Sequence, residues 1–320
     1  MDAKLALGVD VGGTKVAAGI VDREGTIVKS SRVPMNAKGS AEEGLAAVTA
    51  AIDALFREGG RLEEQVRGIG VCAPGPLDPT TGVVINPPNV TCWRNFPLAA
   101  KITSRYGVPV KIDNDANAAG LAEVLWGAGR GYQNVFYACI GTGIGTGIVF
   151  DGRIYHGRTG AAAEGGHVSI DYNGPLCGCG KRGCIEVLAS GTAIGRRARA
   201  KVASDPARGA ALLELAGGEA DAVTSEMVGQ ACLAGDPLAT ECLRETVELI
   251  SVWLGNVVDL IEPDVLIIGG GVAAMLAPFF GEMRERLAVW CVNSRAREIP
   301  LVPAHYGASS GIAGGAAICQ

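Results

Sequence analysis

At 320 residues the chain is longer than one hydrophobic core ordinarily serves, so two domains are expected. A formal net charge of -5, with both signs spread along the chain, argues against a nucleic-acid surface or an anionic membrane as partner and favours a small polar substrate. Glycine is the outlier at 47 residues, about twice its ordinary share, and with no low-complexity tract to absorb it the excess falls in turns.

The N-terminal segment MDAKLALGVD is too poor in apolar residues for a secretory or membrane-spanning segment, and the longest apolar run, 265–280, is cut by Gly269, Gly270 and Gly271. A cytoplasmic protein is expected. There, ten cysteines with three crowded together read as metal ligands rather than disulfides, and the other seven as core residues.

In chain order, residues 10–28 read DVGGTKVAAGIVDREGTIV: the end of a strand, a glycine turn, an apolar strand, a charged glycine turn and a further strand. Residues 41–58 have helical periodicity, 66–72 form an apolar strand, 97–106 a helix and 108–112 a strand. This alternation predicts a layered α/β architecture. Residues 141–155, GTGIGTGIVFDGRIY, repeat the opening pattern, with G-I-V and then an Asp-bearing turn at Asp22 and at Asp151. The repeat implies two similar α/β halves. Residues 201–221 read as surface helices. Asp236 and Pro237 supply an N-cap and a first helical residue, opening a long helix that ends near Pro263. Strand 265–268 then feeds the glycine triplet, whose Gly270 and Gly271 amides can meet an adenine or ribose.

Three glycine clusters follow or interrupt short apolar strands: Gly12 with Gly13, the run 141–147, and 269–271. Glycine lets backbone amides approach a phosphate without obstruction by Cβ. Neither GxxxxGK[ST] nor a helix-opening GxGxxG within a βαβ unit is present, so the remaining choice is a phosphate clamp made of β-hairpin turns.

In HVSIDYNGPLCGCGKRGC, His167, Cys177, Cys179 and Cys184 have the donor types and close spacing of a four-coordinate structural zinc site. The alternative, ordinary buried thiols, fits poorly with three cysteines in eight residues separated by glycines. Glu164 and Glu186 flank the cluster. Asp113, Asn114 and Asp115 lie where strand 108–112 meets the helix ANAAGLAEVLW, the strand end at which α/β sheets bind ligands. An Asp there is also a routine N-cap. Asn114, suited to a sugar hydroxyl, favours reading Asp115 as the general base of a kinase.

The motifs DVGGTK, APGP, NDAN, GTGIGTG, EGGH, CGCGKRGCIE and LIIGGGV, in this order over essentially the whole chain, resemble those of ROK-family sugar kinases, within which they look like the bacterial ATP-dependent glucokinases. CxCGxxGCxE is the most specific of them. The resemblance implies an α/β, actin-like ATPase (ribonuclease-H-like) fold duplicated about an interdomain cleft, with residues 1–117 plus 305–320 as one domain and 118–304, carrying the zinc loop, as the other. It implies ATP-dependent phosphorylation of glucose at the 6-hydroxyl, with Asp115 as catalytic residue and Asn114, Asp115, Glu164, His167 and Glu186 on the sugar. Asp10 is then linked to the magnesium of Mg-ATP. The phosphate turns fall on Gly12, Gly13, Thr14 and Lys15 and on Gly141, Thr142, Gly143 and Gly145. INPPNVTCWRNFPL resembles the glucokinase subgroup and adds Asn89 to the sugar contacts, although Cys92 stands where that segment has glycine. N-acetylmannosamine and N-acetylglucosamine are the competing acceptors. Family repressors carry a DNA-binding segment ahead of the kinase-like body, whereas the first phosphate turn here follows Asp10, so an enzyme is expected in preference to a sugar-sensing regulator. A homodimer or homotetramer with no nucleic-acid or membrane partner completes the expectation.

Overall fold

The computed structural model describes residues 5–58 and 66–320; residues 1–4 of the N-terminal reading above lie outside the described residues. The chain opens with β1 (Leu5–Val11), β2 (Lys15–Val21) and β3 (Ile27–Pro34), then α1 (Ala41–Glu58), β4 (Val66–Ala73), a short hairpin of β5 (Leu77–Asp78) and β6 (Val83–Val84), α2 (Leu98–Tyr106), β7 (Val110–Asn114) and α3 (Asp115–Trp126). The first sheet has the order β3-β2-β1-β4-β7. β1 runs antiparallel to β2 and parallel to β4, and β4 is parallel to β7. One face packs Leu7, Val9, Val16 and Ile20 into a core shared with Val48, Ile52 and Leu55 of α1 and Ile102 of α2. The helical stripe of α1 and the strand alternation meet there because each buries only one apolar face.

β7 runs two residues further than its sequence pattern predicts. The parallel pairing with β4 continues through Cys72 with Asp113 and Ala73 with Asn114, so two polar residues are held as strand by ladder hydrogen bonds rather than by hydrophobic burial.

The second half continues with β8 (Asn134–Ile140), β9 (Ile144–Phe150) and β10 (Arg153–Ile154), a 3-10 turn at Gly165–His167, then α4 (Ile185–Ala189), α5 (Gly191–Ser204), α6 (Ala210–Leu215), α7 (Ser225–Leu233) and α8 (Pro237–Ile261). It closes with β11 (Val265–Gly269), α9 (Gly271–Leu276), α10 (Phe280–Trp290), β12 (Leu301–Pro303) and α11 (Ser310–Ala317). The second sheet has the order β10-β9-β8-β11-β12, the order of the first counted strand for strand. The internal repeat read from the glycine turns is therefore a repeat of sheet topology. α8 starts as its sequence demands: the Asp236 carboxylate accepts the Ala239 N–H at 2.7 Å, with Pro237 in the first turn.

By contact density the chain divides into Met1–Tyr137 with Gly147–Ala163 and His305–Gln320, and Ala138–Thr146 with Glu164–Ala304. Within the first unit, α11 covers the other face of the first sheet, where Ala6, Ala17 and Val21 meet Ile312 and Ala316. This approach is backbone on backbone. A Cβ on Gly8 of β1 would stand 1.8 Å from the Ile312 carbonyl oxygen, a distance no side chain survives. The buried Glu123 carboxylate ties the returning chain to α3, accepting His305 N–H at 2.8 Å and Tyr306 N–H at 3.1 Å on one oxygen and Ala128 N–H at 2.8 Å on the other. Among the described residues no helix is long and apolar enough to cross a membrane.

Gly8→Ala is expected to lower stability by about 3 kcal/mol or more, because the obstructing atom is backbone and cannot rotate away. Chemical denaturation of the variant checks this; an unchanged midpoint would show that α11 shifts freely.

Candidate active-site residues and metal centre

In the first unit, the β1–β2 turn and the β7–α3 junction carry the predicted residues. Gly12 donates its N–H to the Lys15 carbonyl at 3.0 Å, and Met35 donates to the Thr14 carbonyl at 2.9 Å, which pins the turn on both sides. The Gly12 amide is thus committed to the hairpin. A Cβ on Gly13 would lie 3.0 Å from the Asn89 carbonyl oxygen, so the segment holding Asn89 borders this turn. That segment is anchored by Trp93, fully buried and stacked on Phe96 with ring centroids 5.5 Å apart. Cys92, at the position of the family's glycine, donates its N–H to the Ala37 carbonyl at 2.8 Å, so the loop is tied down there despite the substitution.

Asn114 is the N-cap of α3: its Oδ1 accepts the N–H groups of Ala116 at 2.9 Å and Asn117 at 3.3 Å. The cap uses the side-chain oxygen and leaves the amide nitrogen out of it. Asp115 is the first helical residue, where the positive end of the helix dipole favours its charged form, and its Oδ1 also receives Ala116 N–H at 2.8 Å. Asp10 ends β1. Its carboxyl is pushed up to about 6, first by burial and then by the negative charge of Asp115, with Lys15 opposing. Gly311 of α11 walls it from behind, since a Cβ there would stand 2.3 Å from the Asp10 carboxyl carbon. Two carboxylates close enough to disturb one another, one of them half-buried, form a place where a divalent cation is electrostatically favoured.

The second unit carries the other turn. Gly141 donates to the Gly143 carbonyl at 2.9 Å and accepts Gly191 N–H at 2.8 Å, while Thr192 Oγ1 donates to the Thr142 carbonyl at 2.8 Å. Gly145 lies inside β9. A cavity of about 470 Å³ opens beside Gly141 and Thr142, lined further by Thr192, Arg199, Ser225 and Gly271. It collects the N-termini of α5 and α7, whose helix dipoles favour a phosphate or nucleotide there. Gly271 lines this cavity, whereas Gly270 packs beneath, where a Cβ would be 2.3 Å from the Ile140 carbonyl. Sequence reading missed Thr192, Arg199 and Ser225. Their only local signal is that Ser190 and Thr224 cap helices, with side chains accepting Ala193 N–H and Met227 N–H at 3.3 Å.

His167, Cys177, Cys179 and Cys184 come together, their ligand atoms all within 4.8 Å of one another. His167 Nδ1 is 3.7 Å from Cys177 Sγ, and Cys179 Sγ is 3.6 Å from Cys184 Sγ. Zinc bonds of about 2.0 Å to nitrogen and about 2.3 Å to sulfur imply tetrahedral edges of about 3.5–3.8 Å, so the donor set fits a zinc ion. Burial pushes the Cys184 thiol up to about 12, helped by Cys179 and Cys177, while the Lys181 backbone amide lowers Cys179. Gly183 permits the return of the loop: its φ is +61°, and a Cβ would sit 1.6 Å from the Asp171 carbonyl oxygen.

Glu186 ties this centre to the glycine turn. Its Oε2 accepts Ile144 N–H at 2.9 Å, and its Oε1 lies 4.0 Å from His167 Nδ1. The 3-10 turn carrying His167 is held from both sides, Gly165 N–H donating to Thr146 Oγ1 at 2.8 Å and the buried Trp253 indole donating to the Gly165 carbonyl at 3.1 Å. Glu164 is exposed at the head of this turn, following Ala163, a non-glycine residue with φ of +63°. Left-handed backbone at such a residue costs about 1–3 kcal/mol and clusters at ligand sites.

The doubled sheet order and its helical layers make this an actin-like ATPase fold of two α/β domains. The chain belongs to the ROK family, whose pattern it matches over residues 6–320. It is 34% identical over 317 residues to a glucokinase of Streptomyces coelicolor, covering 99% of this chain and 98% of that one. A ROK family glucokinase from Streptomyces griseus, solved in complex with glucose and AMPPNP, superimposes with a TM-score of 0.84 at 36% identity over 98% of both chains. A xylose repressor of Bacillus subtilis is 35% identical over 192 residues, 60% of this chain and 49% of the repressor.

Asp10 ionises near 6 in the fold against an ordinary value of 3.8. The folded state therefore keeps a proton that the unfolded chain has lost between those values, and stability falls as pH rises through them. Without ligands, Asp10→Asn is expected to be more stable than the parent at pH 8 by up to about 3 kcal/mol, with the gain vanishing near pH 3.5. Thermal unfolding at the two pH values measures it, and an equal effect at both would refute the burial of charge at Asp10.

Proposed function

We propose that the chain is an ATP-dependent hexose kinase that phosphorylates glucose at the 6-hydroxyl. The observation that carries this reading is the pair Asn114 and Asp115 at the exit of β7, one capping α3 and the other its first residue, with the charge of Asp115 felt at the half-buried Asp10. Similarity over nearly the full length to glucokinases, one of them solved with glucose and an ATP analogue, supports the choice of substrates.

In this reading Asp115 accepts the proton of the 6-hydroxyl as that oxygen attacks the γ-phosphorus, and Asn114 offers its amide nitrogen to a neighbouring hydroxyl. Asp10 faces the magnesium of Mg-ATP, which when bound offsets charge on the phosphoryl oxygens. The turns at 12–15 and 141–145 present amides to the phosphates, and the cavity beside Thr192 and Gly271 takes the nucleoside. His167 turns Nδ1 towards the thiols and keeps Nε2 for a sugar hydroxyl, while Glu164, Glu186 and Asn89 complete the sugar contacts. His167, Cys177, Cys179 and Cys184 would hold a zinc ion as a four-ligand structural centre, which would orient this segment. We keep 1–117 plus 305–320 and 118–304 as the functional halves because β8 to β12 form one sheet, although contact density groups α3 and residues 147–163 with the first unit. The same reading places the protein in the cytoplasm as a homodimer or homotetramer.

Two other readings are kept: N-acetylmannosamine or N-acetylglucosamine as acceptor, and a sugar-sensing regulator without kinase activity, which the partial similarity to a xylose repressor favours. ADP release measured across glucose, mannose, fructose, N-acetylglucosamine and N-acetylmannosamine separates them, with glucose expected to give the highest kcat/KM and no turnover expected of a regulator. Asp115→Asn should lower kcat by about 10²–10⁴-fold while glucose Kd changes little; near-normal turnover refutes its role as base. Elemental analysis should find one zinc per chain. Cys179→Ala should lose that zinc and weaken glucose binding together, and retained affinity without metal would separate the two.

A further inference from the structure

Behind the β7–α3 junction lies a pair that the reaction above does not use. Asp113, buried at the end of β7, receives His156 Nε2 on Oδ2 at 2.6 Å. Its other oxygen, Oδ1, accepts Asn114 N–H at 2.8 Å and Asn117 Nδ2 at 3.3 Å. Both of those donors belong to the turn in which Asn114 caps α3 and Asp115 begins it. Asn117 is turned to Asp113 even though its own Oδ1 is left buried with no hydrogen-bond partner, an arrangement that costs about 1–3 kcal/mol and that the opposite amide orientation would make repulsive. The carboxylate therefore dictates the turn.

We propose that His156 is a positioning residue which, by holding the Asp113 carboxylate, fixes the first turn of α3 and with it the directions of Asn114 and Asp115.

His156 follows β10 and lines two cavities of the first unit. One, of about 500 Å³, is lined also by Asp78, Thr80 and Arg158; the other, of about 360 Å³, is lined by Lys111, Arg153 and Leu121. Those charged side chains share the cavities with the imidazole, but Asp113 is the group bonded to it. That bond raises the His156 pKa, with burial opposing. Removal of the imidazole takes away the side chain that covers Asp113 from both cavities and lets water reach a residue that is 4% exposed. A wetted Asp113 exchanges its partners, and the amides of Asn114 and Asn117 lose their fixed acceptor.

This inference rests on the kinase reading for its effect on turnover, but not for its effect on the helix, so two measurements are made on the full chain. Amide hydrogen exchange over residues 110–120 is expected to speed up about tenfold in His156→Ala and to stay near the parental rate in His156→Gln, whose amide can still donate to Asp113. In the coupled ADP assay, His156→Ala is expected to lower kcat about ten- to hundredfold with the KM for ATP unchanged, and His156→Gln to recover most of it. Unchanged exchange in His156→Ala overturns the proposal. So does a loss of kcat that His156→Gln shares in full while both variants lose thermal stability equally, which is the mark of a merely structural residue. A parental chain that releases no ADP, with exchange changed as expected, sinks the kinase reading and leaves the positioning role standing.

Discussion

Two carboxylates that resist being charged together, Asp10 and Asp115, set the terms for the first unit. Asp10 is half-buried and feels Asp115, so its proton is held to about pH 6. Each surrounding feature moderates that repulsion or exploits it. Lys15 lowers the Asp10 pKa from across the turn, and the N-terminus of α3 supports the charge on Asp115. α11 closes the space behind Asp10, where a Cβ on Gly311 would meet its carboxyl carbon.

The second unit solves a related problem by another means. Its glycine turn offers backbone amides rather than charges, and the N-termini of α5 and α7 add their helix dipoles around the cavity. Glu186 joins that turn to the Cys and His cluster through the Ile144 amide, so one carboxylate is shared between the phosphate-type loop and the metal-type loop. A displacement of either is therefore felt by the other over a single hydrogen bond.

Much of the fold was legible in the chain. Glycine turns between apolar runs gave both three-stranded openings, and the repeat of Asp22 and Asp151 in equivalent turns pointed to the duplicated sheet order. Asp236 and Pro237 marked the start of α8 because capping and fixed φ are local effects. The end of β7 was misjudged, since Asp113 and Asn114 are strand residues only by pairing with β4. Thr192, Arg199 and Ser225 were invisible as cavity residues: helix starts are common, and nothing in 190–226 announces which of them face the same space.

The sequence by itself determined the residue types that can do this chemistry: an Asp after a strand, amide-rich turns, and four soft ligands at close spacing. It could do so because donor chemistry, backbone freedom and hydrophobic period are carried by a few neighbouring residues. Only the tertiary structure decided which groups are already occupied. Gly12 spends its amide on Lys15, Asn114 spends its carbonyl on a helix cap, and Glu186 spends one oxygen on Ile144. It also decided that His156, distant in sequence, holds Asp113, because hydrogen bonds and burial depend on separations in space that a linear pattern does not encode.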